Sequence, residues 1–344
     1  MKMPKESSPK PSSENVSYFG LESSHSSWLI ACALLLFFSI GALSSFSHEM
    51  WRDELQAWMI ARSSNTLVKL YENTRYEGHP MLWHACLRIV VSIKDSPWAM
   101  QLLNLSIGTL SALLVLTRAP FALGLRIGVV FNYFFFYEYL VISRGYGLGL
   151  FLVLLACCLY NREPQPIVCL SFVLFLLCQT SIYGVLLSLA FTFLIFVDLI
   201  KAERSDRFRR RLAVCIVLLG VILAIVQVMP PSDSAFLGKK RGDLFYRFTR
   251  TSSIIWDGLI PLPSFQLHFW NSSIIESRTV RALFGIALLL LLLQCFQQRS
   301  WHACLFFFLA SSALLLFAHL IYAGCLRHCG HLFIAFIVSL WIAR

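Results

Sequence analysis

The stretch HEMWRDELQAWMIARSSNTLVKLYENTRYEGHPMLW, residues 48–83, decides how this chain is read. It follows one long apolar run, residues 28–46, and precedes many others. Within it stand Asp53-Glu54 and Glu77, with Trp51, Trp58, Tyr76, His79, Pro80 and Trp83 around them. A chain that is otherwise apolar here sets carboxylates beside aromatic rings. Such rings gather where a bilayer meets water. The stretch therefore reads as a first outer loop, residues 47–83, and the rest of the chain as its scaffold.

Composition supports that frame. The 344 residues are 58% hydrophobic and 14% charged, where a soluble domain carries about 25% charged residues. Several runs reach the roughly 20 apolar residues that cross a bilayer. A β-barrel would show short alternating segments instead. The expected class is an all-α polytopic membrane protein, integral to the lipid bilayer. The net charge of +11, from 29 basic and 18 acidic residues, points first to positive loops on the cytoplasmic side. Nothing favours nucleic acid. Most of the eleven cysteines lie in apolar runs, where they act as small hydrophobes. Cys325 and Cys329 flank Arg327-His328, a spacing looser than that of well-attested zinc sites.

Along the chain, residues 1–27 are polar and rich in Ser and Pro, and the expectation is a disordered cytoplasmic tail. Residues 28–344 form the multi-pass domain. Residues 80–93 are apolar but short for a full crossing, and topology is simplest if they do not cross. KAERSDRFRRR at 201–211 is the clearest cytoplasmic marker. Residues 229–278, about fifty in all, form a second outer loop carrying KKRGDLFYRFTR from Lys239. Counting back from the basic stretch puts Glu138, Arg144 and Arg327-His328 on the outer side too.

Several groups here could carry chemistry. Asp53 followed by Gln56 is a capping-box pattern, so Asp53 either starts a helix or serves a site. Gly78 and Pro80 suit a turn leading into a helix, which sets Glu77 and His79 at its mouth. Trp83 reads as an interfacial anchor. Glu138 lies in an apolar run closed by Arg144, and a buried ionisable residue usually has a partner. The two form either a structural ion pair or a site pair. Lys239, Lys240, Arg241, Arg247 and Arg250 oppose the positive-inside rule: either the loop lies on the other side of the membrane, or it forms an interfacial helix on lipid headgroups, or one or two of these residues grip a phosphate.

WRDELQAW followed by YEGHPMLW resembles the first outer loop of GT-C membrane glycosyltransferases. The subgroup is that of the protein O-mannosyltransferases and the lipid A aminoarabinose transferase. FYEYLVISRGYGL and RHCGHLFIAFIVSLW extend the likeness more loosely. The family pattern often has Lys where His79 stands. The resemblance implies a GT-C-like helical bundle with a large first extracytoplasmic loop. It also implies Asp53 as the catalytic carboxylate, with Glu54 and Glu77 beside it.

The expected activity is transfer of a sugar from a polyprenyl-phosphate donor to an acceptor hydroxyl of a glycan, lipid or protein, on the extracytoplasmic side. Asp53 would act as general base, with Glu54 as its catalytic neighbour. Glu77, His79, Glu138, Arg144, Arg247, Arg327 and His328 would bind substrate or donor. A divalent metal near Glu54, Glu77 or His79 would be compatible but is not required. The rival readings are a transporter and a membrane partner that is inactive or truncated.

Overall fold

In the computed structural model the chain is helical, and residues 24–233, 243–267 and 269–343 are described. Among them no strand occurs. The order is α1 (Ser24–Ser47), α2 (Arg52–Ser63), α3 (Leu67–Thr74), α4 (Leu82–Ile93), α5 (Trp98–Arg118) and α6 (Leu123–Val130). A π-helical turn (Phe134–Val141) follows, then α7 (Gly145–Tyr160), α8 (Ile167–Cys178), α9 (Ile182–Lys201) and α10 (Arg204–Val228). Last come α11 (Leu244–Leu259), α12 (Arg278–Arg299), α13 (Trp301–Leu320) and α14 (Leu326–Ile342). Among the described residues six helices, α1, α5, α9, α10, α12 and α13, are long and apolar enough to cross a membrane. The protein is an integral, multi-pass membrane protein by that measure.

The polar stretch after α1 is not an open loop. It folds into α2 and α3 and then enters α4. With 12 residues, α4 is about 18 Å long, too short for a hydrocarbon core of about 30 Å. It packs on α2 instead, around Ala57, Trp58, Ala61, Leu87 and Met100. Trp83 belongs to this buried cluster rather than to an interface. The second polar stretch contains α11, whose packing face lies on α12 and α14. Lys239, Lys240 and Arg241 lie outside the described residues, as does most of the 1–27 tail; α1 begins at Ser24.

The apolar run after Arg126 is broken in two. Asn132 accepts the Phe134 amide at 3.0 Å, and the chain winds into the π turn. Wider winding leaves carbonyls without regular partners, and no water reaches them at membrane depth. Buried Asn104 of α5 supplies the hydrogens. Its Nδ2 donates to the carbonyls of Leu140 at 2.7 Å and of Tyr139 and Ile142 at 3.3 Å.

The bundle has two distinct ends. At one, Asp198 meets Arg210 at 3.7 Å and His302 at 3.2 Å, Asn161 donates to the Trp341 carbonyl, and Arg299 donates to that of Ala343. The basic segment at the start of α10 lies here. The opposite end gathers the starts of α2, α7, α9 and α14 around a cavity. Between them Phe134, Tyr139, Phe191, Phe306 and Phe307 are fully buried.

Gly258 of α11 lies against α14, which carries Arg327 and His328. A Cβ at Gly258 would stand 2.5 Å from the Cys329 carbonyl, a backbone atom that cannot swing aside. Gly258→Ala should therefore destabilise the fold by about 1–3 kcal/mol, as overpacking does, read as a lowered unfolding temperature in detergent.

Candidate functional site

Asp53 and Glu54 are neighbours, yet the fold separates them. The α2 helix starts two residues earlier than the Asp53–Gln56 pattern suggests, with Trp51 as N-cap. Glu54, not Gln56, is then the residue that reaches back. Its Oε2 accepts the Trp51 amide at 2.8 Å and pairs with His48 Nε2 at 2.9 Å. Its Oε1 accepts the Ser143 amide at 2.7 Å. Glu54 is 0% exposed and does not line the cavity, so it is a structural tie and not a group available to substrate. Successive helical side chains diverge, and Asp53 points the other way, with 54% of its side chain exposed.

The cavity has a volume of about 610 Å³. Asp53, Glu77, His79, Arg144, Arg327 and His328 all line it. They come from four places in the fold: α2, the turn before α4, the start of α7 and the first turn of α14. Arg327 Nη2 stands 3.8 Å from Asp53 Oδ2, and Arg144 donates to the Asp53 backbone carbonyl. Both guanidinium groups belong to buried residues. Gln56, one turn along α2 from Asp53, donates to Glu77 Oε1. Burial pushes the Glu77 carboxyl up from its ordinary value, and Arg144 opposes that shift. The turn needs Gly78 for its φ of 65°, a region costly for other residues.

The two histidines belong to one hydrogen-bonded chain. The Cys325 amide can only donate, and it donates to His328 Nδ1 at 2.9 Å. The His328 proton therefore sits on Nε2, which donates to the Tyr146 oxygen at 2.9 Å. The Tyr146 hydroxyl then donates to His79 Nε2, also at 2.9 Å. His79 Nδ1 closes the chain on the Glu77 carbonyl at 2.8 Å. Burial, followed by the Arg144 charge, holds the His79 pKa down at about 4, so this ring is neutral at neutral pH. The chain joins the start of α14 to the Glu77 turn across the cavity.

Three residues expected at the site lie elsewhere. Glu138 is wholly buried and does not pair with Arg144; its Oε1 accepts from the Tyr133 hydroxyl at 2.8 Å and Trp270 Nε1 at 3.1 Å. Arg247 donates to the His319 carbonyl at 3.0 Å and so closes the end of α13. Glu54 is the third. Glu54, Glu77 and His79 do not form a common ligand set, because the Glu54 oxygens and both His79 nitrogens have partners. Among the described residues no three His, Cys, Asp or Glu side chains stand close enough to share a metal ion.

The lining also holds residues that sequence reasoning passed over: Tyr146, Trp270, Tyr183 and Tyr322. Tyr146 carried a weak signal, a hydroxyl two residues from Arg144. The opposite part of the lining is apolar, from Ile225, Met229, Phe317 and Ile321. Ile225, Met229 and Ile321 are exposed residues.

Glu54→Ala would strip three donors of their acceptor. At about 1–3 kcal/mol for each buried group left unpaired, it should cost on the order of 3 kcal/mol or more. Asp53→Asn should cost less than about 1 kcal/mol, as expected for a half-exposed pair. Thermal unfolding of the two purified variants compares them directly. A pH series tests His79. In the unfolded chain its ring takes a proton near 6.5, in the fold only near 4. The unfolded state therefore binds the extra proton first, and stability falls as pH drops through that window. The His79 share is a slope of up to about 1.4 kcal/mol per pH unit, and His79→Asn should make the measured slope shallower.

No protein family, no curated protein and no solved structure matches this chain.

Proposed function

We propose that this chain transfers a sugar from a polyprenyl-phosphate donor to an acceptor hydroxyl, with Asp53 as general base. One observation carries the reading: a half-exposed carboxylate and two buried guanidinium groups share a cavity whose rim is exposed and apolar. A lipid-linked phosphate needs all of these features. Its tail requires apolar surface open to the bilayer, and its phosphate requires fixed positive charge. The reacting sugar requires a base and hydrogen-bonding side chains near the anomeric carbon.

An Asp53 carboxylate oxygen takes the proton of the acceptor hydroxyl. The acceptor oxygen forms a bond to the anomeric carbon from the face opposite the phosphate, which inverts that carbon. The bond from anomeric carbon to phosphate oxygen breaks, and its electron pair leaves with the lipid phosphate. Arg144 and Arg327 balance the charge that develops there. Glu77 and Gln56 offer hydrogen bonds to sugar hydroxyls. The acceptor is a glycan, lipid or protein hydroxyl presented from the aqueous side.

The likeness of residues 48–83 to the GT-C glycosyltransferases supports the same reading. So does the basic segment at the start of α10, which stands at the far end of the bundle; by the positive-inside rule that end faces the cytoplasm and the cavity faces outward. Below the cavity the bundle is filled by Phe134, Tyr139 and Phe306. That favours a site worked from one face over a passage for transport.

Asp53→Asn keeps the side-chain shape and removes the base. In membranes supplied with a radiolabelled lipid-linked sugar it should lower transfer about 100-fold or more, with the amount of folded protein unchanged. Turnover near that of the wild type would assign the base elsewhere.

A further inference from the structure

Glu138 has no place in the reaction above, yet its environment is unusual. It sits in the π turn, fully buried, in an apolar segment where an acid is costly. One oxygen serves two donors, Tyr133 and Trp270. The other has no hydrogen-bond partner, and neither has the buried Arg327 Nε. Buried polar atoms are rarely left so. Such a residue is poorly explained by its own helix and better explained by what it holds.

What it holds is Trp270. The indole lines the cavity and stands edge-on to Trp51, with centroids 4.6 Å apart. The Arg327 guanidinium lies 5.3 Å from the Trp51 ring and 5.6 Å from the Trp270 ring, within the range of cation–π attraction. The next residue, Asn271, takes a φ of 60° and accepts the Leu326 amide at 2.8 Å. Trp270 and Asn271 thus hold Arg327 from two sides, one through its side chain and one through the backbone beside it. Phe269 packs on Tyr137 and fixes the same segment to the π turn.

We infer that Glu138 is a positioning residue: by fixing the Trp270 indole it sets the Arg327 guanidinium opposite Asp53. The inference deepens the proposed function and rests on it for one point, that Arg327 faces the donor phosphate. The positional part stands on the geometry alone. Glu138→Gln keeps an oxygen that can accept from both Tyr133 and Trp270. Glu138→Leu removes it. Trp270→Phe keeps an aromatic ring but loses the N–H.

The test is site-resolved phenylglyoxal modification of the purified full chain, read by peptide mass spectrometry. Arg327 should react slowly in the wild type and in Glu138→Gln. It should react about tenfold faster in Glu138→Leu and Trp270→Phe, a factor within the range of cation–π attraction, once the ring at position 270 is no longer anchored over the guanidinium. Arg144, held by the Asp53 carbonyl instead, should keep its wild-type rate. Unchanged Arg327 reactivity in whichever of these two variants folds overturns the inference. Equal acceleration at Arg144 also overturns it, because general loosening would then explain the effect. A second readout separates the two ideas. If the enzyme reading holds, Glu138→Leu raises the KM for the lipid-linked donor about tenfold and Glu138→Gln does not. Accelerated Arg327 modification in a chain that turns over no such donor would sink the proposed function and leave the positioning role intact.

Discussion

The arrangement hangs on one buried carboxylate. Glu54 accepts from Trp51 and Ser143 and pairs with His48, so it ties the start of α2 to the end of the π turn 89 residues away. An isolated carboxylate in an apolar interior is strongly disfavoured, and only a full set of donors makes it tolerable. That need fixes the register of both partners. With Glu54 turned inward, Asp53 must turn outward into the cavity. With Ser143 held by Glu54, Arg144 comes to the Asp53 carbonyl. The site is thus a by-product of satisfying one acid.

The same rule operates throughout the bundle. Where the backbone departs from regular helix, a buried polar side chain answers it. Asn104 serves the π turn. Gln179 donates to the Gly220 carbonyl at 2.8 Å and accepts from Gln227 at 2.7 Å, while Gln227 accepts the Met81 amide at 3.0 Å. This last set ties the short α4 to α8 and α10 without requiring α4 to cross. Without water these groups have no alternative partners, so each is a specific constraint on packing. Polar residues in apolar runs are for that reason read first as backbone partners and only then as site residues.

The neutral chain from Cys325 through His328, Tyr146 and His79 to Glu77 adds a further consequence. Each imidazole nitrogen in it has a fixed role as donor or acceptor, so neither ring is free to bind a metal or shuttle a proton without breaking the chain. Fixed positive charge in the cavity then comes from Arg144 and Arg327, whose guanidinium groups stay protonated. A lining with two permanent cations and neutral histidines suits an anion whose charge must be met at every working pH.

Class and scale were legible in the chain itself. The long apolar runs forecast helices at membrane length because an isolated backbone in lipid must satisfy its own hydrogen bonds. The shortness of residues 80–93 was legible too, and the segment forms the 12-residue α4 packed on α2. Asp53, Glu77 and His79, singled out by the resemblance of the first loop, and Arg144, Arg327 and His328, singled out beside apolar runs, all line one cavity. The division of labour between Asp53 and Glu54 was not legible, because it depends on which residue caps α2, and that was decided by an amide at Ser143. The partners of Glu138 were not legible either. Arg144 lies six residues away in the chain, yet Trp270, 132 residues distant, takes its oxygen. Arg247 looked like a phosphate ligand by charge and turned out to serve a helix end. Local sequence sets which groups are costly to bury; only the tertiary fold settles which partner relieves each of them, because those partners arrive from far along the chain.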